Sequence, residues 1–337
     1  SRTPGAMNKF SLKRLKRPLS VLATVYGSLL LLVPGPVFGE VGLRVVTDIA
    51  PIQSLVWRVM DGLGEPAVLV PPGTSPHHYS LRPSDASVLQ QADLVFFVGA
   101  GLTPWLEGRL PVLSPRADKV NLSSAPGVVI WPYRTLAPSH EDEPEDGHEH
   151  SHGDGHGHSH GDADDAVDPH MWLDPVNARE WLILIGEVLA GADRANATRY
   201  RENAREGAEE ISDLMDQLAH RVVDLKKDGF IVFHDAYQYW ERRFGFSVQG
   251  AMLPADASTP SPKRLKALRA LAESGKVSCV LSEPQFDRSL IDSVFASQSI
   301  RIGMIDPEGV GLTPGPGLYA QLLSDVVERV SECLQRP

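Results

Sequence analysis

The 337-residue sequence contains only two cysteines and, outside one histidine-rich tract, lacks the motifs of the common hydrolases. Outside the histidine-rich tract at residues 140–160 it has no HExxH or GxSxG pattern, and no candidate general base is paired with a ligand motif. Glu283 in SEPQF is the best isolated candidate for such a base, and a structural role at a strand end explains it better. These absences argue against a hydrolytic enzyme.

No apolar run is long enough for an ordinary membrane span. The longest one, LSVLATVYGSLLLLV at residues 19–33, falls short of the roughly 20 residues that a bilayer requires and contains Tyr26 and Gly27. It follows a basic stretch and precedes small residues at 37–39, which predicts a secretory signal peptide rather than a membrane anchor. We interpret residues 1–39 as a cloning remnant, SRTPGA, followed by this leader. No cysteine lies near the cleavage point, which argues against a lipoprotein and favours export to a periplasm.

Basic charge is also scarce, since 32 Lys and Arg residues face 43 Asp and Glu residues and the formal net charge is −11. Residues 140–165 contain ten acidic residues and no Lys or Arg, so the rest of the mature chain is only mildly acidic. This distribution argues against nucleic acid or an anionic lipid surface as a partner. The two cysteines, Cys279 and Cys333, suit an oxidising compartment as a disulfide; two unpaired buried thiols are the alternative.

Short apolar runs alternate with helical patterns on both sides of a long helical stretch. This alternation predicts two α/β lobes, each with a mainly parallel sheet flanked by helices, at residues 40–194 and 228–337. The stretch at 195–227 has no proline and keeps helical apolar spacing, which predicts one rigid linking helix of roughly 45 to 50 Å. Ser84 and Asp174 are predicted to cap helices of the first lobe.

The first lobe is interrupted by a tract at 139–166, whose only aliphatic side chains are those of alanine. Such a composition cannot build a core, so we predict a disordered insertion. Its histidines, mostly spaced two apart, could wrap metal ions weakly because ordering a flexible chain costs entropy. These accessory candidates are His140, His148, His150, His152, His156, His158 and His160.

Five histidines lie outside this tract. His77 and His78 follow a predicted strand, His170 precedes a helix and His234 ends a strand of the second lobe. His220 lies within the long helix and is expected at the surface. Ligands in open α/β sheets bind at the carboxyl ends of strands, and neutral imidazole suits zinc, so three of these positions predict a metal site. Asp306, in IGMIDPEG, is the candidate carboxylate ligand.

Four segments in order, TSPHHYSLRPSD, DPHMWLDP, FIVFHDAYQYWERRFG and CVLSEPQF, resemble the periplasmic solute-binding proteins of zinc ABC transporters. The resemblance implies two similar lobes joined by a long rigid helix, with metal bound in the cleft between them. Its ligand positions match His77, His170 and His234. Asp306 would coordinate directly or hold a water.

The candidate ligand positions differ in detail from those of related metal binders. Manganese and iron binders of this kind carry a glutamate where this chain has His234, which favours Zn²⁺. Some zinc members place a glutamate before the first histidine, where this chain has Pro76, so the fourth position falls to Asp306 or water. Residue 78 is a second histidine and could compete with His77. The resemblance also implies the Cys279–Cys333 disulfide.

The expected function is therefore high-affinity capture of Zn²⁺ in the periplasm and its delivery to an inner-membrane ABC permease and its ATPase. The chain is expected to be a monomer with no nucleic-acid partner. The histidine-rich tract is expected to bind zinc weakly; an incidental solvated acidic loop is the alternative. A manganese or iron carrier of the same architecture remains open. A rigid linking helix predicts local loop ordering rather than wide domain closure on binding.

Overall fold

The computed structural model describes residues 42–136, 167–225 and 229–335, which contain two four-stranded parallel sheets. Both sheets have the same pattern of crossovers, with orders β2-β1-β3-β4 and β6-β5-β7-β8. The strands are β1 (Val45–Thr47), β2 (Ala67–Val68), β3 (Leu94–Phe97), β4 (Asp118–Asn121), β5 (Gly229–His234), β6 (Val248–Leu253), β7 (Val277–Ser282) and β8 (Arg301–Met304). The predicted fold class is confirmed.

Helices cover both faces of each sheet. They are α1 (Ala50–Val59), α2 (Pro83–Gln91), α3 (Pro104–Glu107), α4 (Leu110–Leu113), α5 (Pro175–Ala192), α6 (Ala197–Val222), α7 (Gln238–Phe244), α8 (Pro262–Glu273), α9 (Ser289–Phe295) and α10 (Leu318–Gln335). Asp174 caps α5, because its carboxylate accepts the Val176 N–H at 2.9 Å. No helix of the described segments is both long and apolar enough to cross a membrane.

One local prediction in the first lobe is wrong, and one strand was not predicted. Helix α2 begins at Pro83, so Ser84 lies inside it, and the Asp85 carboxylate accepts the Arg82 N–H at 2.7 Å at its start. Strand β4 has no counterpart in the sequence prediction. Its residues, DKVN, are half-buried or exposed because the strand forms the edge of the sheet, so it lacks the apolar run of a central strand.

The long helix α6 links the two lobes and is shorter than predicted. It has 26 residues, which corresponds to about 39 Å at 1.5 Å per residue. A separate 3₁₀ turn at Arg194–Asn196 precedes it, capped by the Asp193 carboxylate, and the chain turns after Val222. The exact lobe limits at 194/195 and 227/228 stay predictions.

The largest apolar cluster is shared by both lobes. On β5, Phe230 and Val232 face this cluster, whereas Ile231 and Phe233 face a smaller one on the opposite side of the sheet. Strand β3 shows the same alternation, because successive strand residues point to opposite faces. The inner faces of both sheets therefore pack into one core together with α1, α5, α6 and α10.

Helix α10 returns from the second lobe to the first. The Tyr319 N–H donates to Ser54 Oγ of α1 at 3.0 Å, and the Tyr319 hydroxyl donates to the Trp172 carbonyl at 2.6 Å. The predicted disulfide joins Cys279 of β7 to Cys333 of α10. The signal peptide and the tract at 139–166, with all seven of its histidines, lie outside the described residues and remain predictions.

Candidate metal site

Three of the predicted ligand residues meet between the two sheets. His77 lies in a 3₁₀ turn, Pro76–His78, that follows β2. His170 immediately precedes a second 3₁₀ turn at the entrance to α5, and His234 is the last residue of β5. One nitrogen of each histidine falls within 4.8 Å of the others, and all three side chains are buried.

The ring nitrogens face one another at distances typical of a shared cation. His170 Nε2 lies 3.4 Å from His77 Nε2 and 3.0 Å from His234 Nε2. Two nitrogens bound tetrahedrally to one zinc ion, each at about 2.0 Å, would be separated by about 3.3 Å. The two distances from His170 are therefore close to those of a histidine zinc site.

Buried carboxylates hold the opposite edges of two of these rings. Asp168 Oδ1 lies 2.8 Å from His170 Nδ1, and Glu283 Oε2 lies 2.8 Å from His234 Nδ1. An ionised carboxylate only accepts hydrogen bonds, so each Nδ1 carries a proton and each Nε2 is directed toward the other histidines. A cation placed between the three rings would accept the Nε2 lone pairs once these nitrogens carry no proton.

Burial also sets the protonation of the cluster. It lowers the pKa of both His77 and His170 well below the usual value of 6.5, and the neighbouring imidazoles lower it further. Burial, the largest single influence, acts on His234 in the same direction, but the Glu283, Asp235 and Asp168 carboxylates together outweigh it, so the pKa of His234 is raised. Burial raises the pKa of Asp168 to about 6, which still leaves this carboxyl mainly ionised at neutral pH. Two of the three histidines are thus neutral and ready to bind a cation.

The fourth predicted ligand is not part of this group among the described residues. Asp306 Oδ1 accepts the N–H groups of Glu308 at 3.0 Å and Gly309 at 2.9 Å, and Oδ2 accepts that of Gly311 at 3.3 Å. The Gln285 side chain also donates to Oδ1 at 3.3 Å. In this arrangement the Asp306 carboxylate organises its own turn.

The other two histidines lie elsewhere. His78 is exposed and its Nε2 lies 3.3 Å from the Ala257 carbonyl of the second lobe, so it points away from the ligand group. His220 is exposed on α6, as predicted. Sequence reasoning gave Glu283 a structural role without identifying its histidine partner, and it assigned no role to Asp168. An acidic residue two positions before His170 is the signal that was available.

Residues 45–333 match the sequence model of the ZnuA family, which is described as periplasmic component A of the zinc-uptake complex. The high-affinity zinc uptake system protein ZnuA of Paracoccus denitrificans strain Pd 1222 is 43% identical over 327 residues, with 94% of this chain and 98% of the relative covered. The protein of the same description from Brucella suis biovar 1 strain 1330 is 36% identical, with 87% of this chain and 92% of the relative covered.

Solved structures agree on the fold. A crystal structure of ZnuA superposes with a TM-score of 0.70 at 22% identity, covering 87% of this chain and all of that chain. A zinc-bound ZnuA deletion mutant superposes with a TM-score of 0.69 at 22% identity, covering 88% of this chain and 99% of that chain. Because the family model spans nearly all of the described chain and the Paracoccus relative is covered almost completely, the chain belongs to the ZnuA family of periplasmic components of zinc-uptake complexes.

Proposed function

We propose that the chain captures Zn²⁺ on the Nε2 atoms of His77, His170 and His234 and passes it to an inner-membrane ABC permease driven by its ATPase. The observation that carries this proposal is the convergence of three buried imidazoles, two of them oriented by buried carboxylates. Members of the ZnuA family are transport components rather than enzymes, which removes the hydrolase alternative.

The ligand set favours zinc over harder cations. Neutral imidazoles follow the general affinity order in which zinc binds more tightly than manganese or ferrous iron. The fold alone does not choose the metal, since a structural neighbour at 22% identity, the solute-binding protein FpvC, is described in complex with Mn²⁺. Competition between zinc and manganese for the metal-free chain, under chelator buffering, tests the assignment. Equal affinities would contradict it.

The fourth coordination position belongs to water in this proposal, with Asp306 as the alternative from the family resemblance. Three backbone N–H groups already occupy the Asp306 carboxylate, so a direct bond to zinc would require the turn at 306–311 to rearrange. An open position also suits a cargo site, because an incoming ligand from a partner can enter it when the ion leaves.

The seven histidines of the tract at 139–166 supply a weaker accessory site in this proposal. Deleting residues 140–165 and titrating the chain with zinc separates the two kinds of site. We expect the tightest equivalent to remain and only weaker equivalents to disappear. Loss of the tightest equivalent would refute this division, and retention of every equivalent would refute the accessory role.

Delivery is proposed to involve local rearrangement rather than wide opening of the lobes. Besides α6, the lobes are joined by the Trp172 indole, which donates to the Pro307 carbonyl at 2.7 Å, and by the Arg243–Asp174 ion pair at 2.8 Å. Zinc-limited growth of a strain that lacks the chain, complemented with the native form or with His170→Ala, tests delivery. Equal growth with both forms would contradict it.

A further inference from the structure

We propose that Gln238 is a positioning residue for His170, on which it acts from the opposite lobe through the carboxylate of Asp168. Gln238 is the first residue of α7, the helix that follows β5 in the second lobe. Asp168 and His170 lie in the segment that enters α5 of the first lobe. This inference rests on the proposed function, in which His170 binds zinc.

The Gln238 side-chain amide is fully used. Its Nε2 donates to Asp168 Oδ2 at 3.0 Å and to the Pro132 carbonyl at 2.9 Å, and its Oε1 accepts from Arg242 at 3.3 Å. Turning the amide over would place Oε1 against two acceptor oxygens and lose the bond from Arg242. The side chain is also buried. Its orientation is therefore fixed, and no acceptor-only side chain can replace it.

The Asp168 carboxylate is held at both oxygens. Oδ1 accepts the His170 main-chain N–H at 3.0 Å and lies 2.8 Å from His170 Nδ1, while Oδ2 accepts from Gln238. Without Gln238, Oδ2 would be a buried acceptor that has lost its donor, and the carboxylate could rotate to seek another. Rotation moves Oδ1 away from the His170 ring, and the direction of the Nε2 lone pair is then no longer fixed.

The adjacent residue provides a matched comparison. The Tyr239 hydroxyl donates to the Asp168 main-chain carbonyl at 2.9 Å and accepts the Trp131 N–H at 3.0 Å. Gln238 and Tyr239 thus bind the same residue from the same helix, but only Gln238 reaches the carboxylate. Because these bonds cross between lobes, a shift of α7 relative to Asp168 would weaken zinc binding without touching a ligand.

Gln238→Met keeps the length of the side chain and removes both donors. We expect zinc affinity in the full chain to fall about tenfold, the lower end of what loss of a ligand's hydrogen-bond partner costs. The absorption spectrum of the Co²⁺-loaded chain should change as well. Tyr239→Phe should lower the melting temperature about as much as Gln238→Met does. Its zinc affinity, in contrast, should change less than threefold.

A double-mutant cycle distinguishes positioning from general loosening. If Gln238 acts through Asp168, Gln238→Met should cost much less in an Asp168→Asn background than in the native chain. Full additivity, equal losses in Gln238→Met and Tyr239→Phe, or native affinity in Gln238→Met would each overturn the proposal. If Gln238→Met does not fold, Gln238→Ala removes the same donors without adding a charge, and the same comparisons apply. Unchanged zinc binding in His170→Ala would instead refute the proposed function.

Discussion

The Nδ1 atom of His234 lies 2.8 Å from Oε2 of Glu283, and both side chains are almost completely buried. The contact joins the carboxyl ends of two adjacent strands, β5 and β7, so the sheet itself fixes the ring. Its partner contact, Asp168 with His170, is formed within a single loop. The orientation of the His234 ring therefore depends on the pairing of two strands, whereas that of the His170 ring depends on the conformation of one loop.

Replacement of Glu283 by Gln should lower zinc affinity by about 10- to 100-fold, because the amide no longer stabilises the Nδ1 proton as a carboxylate does. Chelator competition with the purified chain measures this change. Glu187→Gln, at an exposed ion pair with Arg201, is the control and should bind zinc like the native chain. A Glu283→Gln affinity within twofold of native would contradict the role assigned to this carboxylate.

His77→Ala should remove the tightest zinc equivalent, with a loss greater than the about 100-fold limit for outer partners. His220→Ala removes a histidine from the exposed surface of α6 and should leave this equivalent intact. Calorimetric titration of both variants checks the stoichiometry. His78→Ala, beside the site but pointing to Ala257, should resemble His220→Ala rather than His77→Ala.

Zinc binding near pH 6.5 should release protons mainly from His234. The pKa values of His77 and His170 lie well below 6.5, so both are neutral, whereas the pKa of His234 is raised and this residue is mainly protonated. Affinity should therefore fall about tenfold for each pH unit below the pKa of His234, and more steeply only when the other two begin to protonate. Calorimetry in buffers of different ionisation enthalpy counts the protons; a release of none would contradict this order.

Asp306→Ala should affect the fold more than the metal. The change leaves the N–H groups of Glu308, Gly309 and Gly311 without their acceptor, at a cost of about 1–3 kcal/mol in unfolding free energy. Chemical denaturation of the metal-free chain measures this loss. Zinc affinity reduced as far as in His77→Ala, with normal stability, would instead identify Asp306 as the fourth ligand.

Replacement of both Cys279 and Cys333 by Ser should lower the unfolding free energy by about 4 kcal/mol, because the disulfide closes a loop with a sequence separation of 54. Denaturant unfolding of the metal-free chain tests this value. The bond lies on β7 and α10, away from the three histidines, so zinc stoichiometry should not change in the folded variant.

The sequence was most informative where a whole segment follows a simple hydrophobic pattern. The buried central strand FIVFH is apolar up to its last residue, so β5 and its terminal His234 could be predicted directly. Edge strand β4 could not, because two of its four residues are exposed, the other two are only partly buried, and its composition resembles that of a loop. The three histidines that meet in the structure could be singled out from strand ends and ordered motifs.

Pairings between distant residues were less accessible. Nothing local to Gln238 indicates that its amide contacts Asp168, 70 positions earlier, because that contact depends on how the lobes pack. Asp306 shows the opposite problem: its position at a strand end suits a ligand, but a turn of nearby backbone N–H groups uses the same oxygens. Residue type and position do not reveal which of two partners a carboxylate chooses.

Helix α10 packs on α1 through Tyr319 and Ser54 although 265 positions of the chain separate them. Both helices contribute buried side chains to the same apolar cluster, so the core under α1 stays incomplete until α10 packs against it. The first lobe therefore cannot reach its native packing independently of the C-terminal helix. A chain truncated just before Leu318 should be recognised as unfinished by proteases, even though it contains every histidine of the metal site.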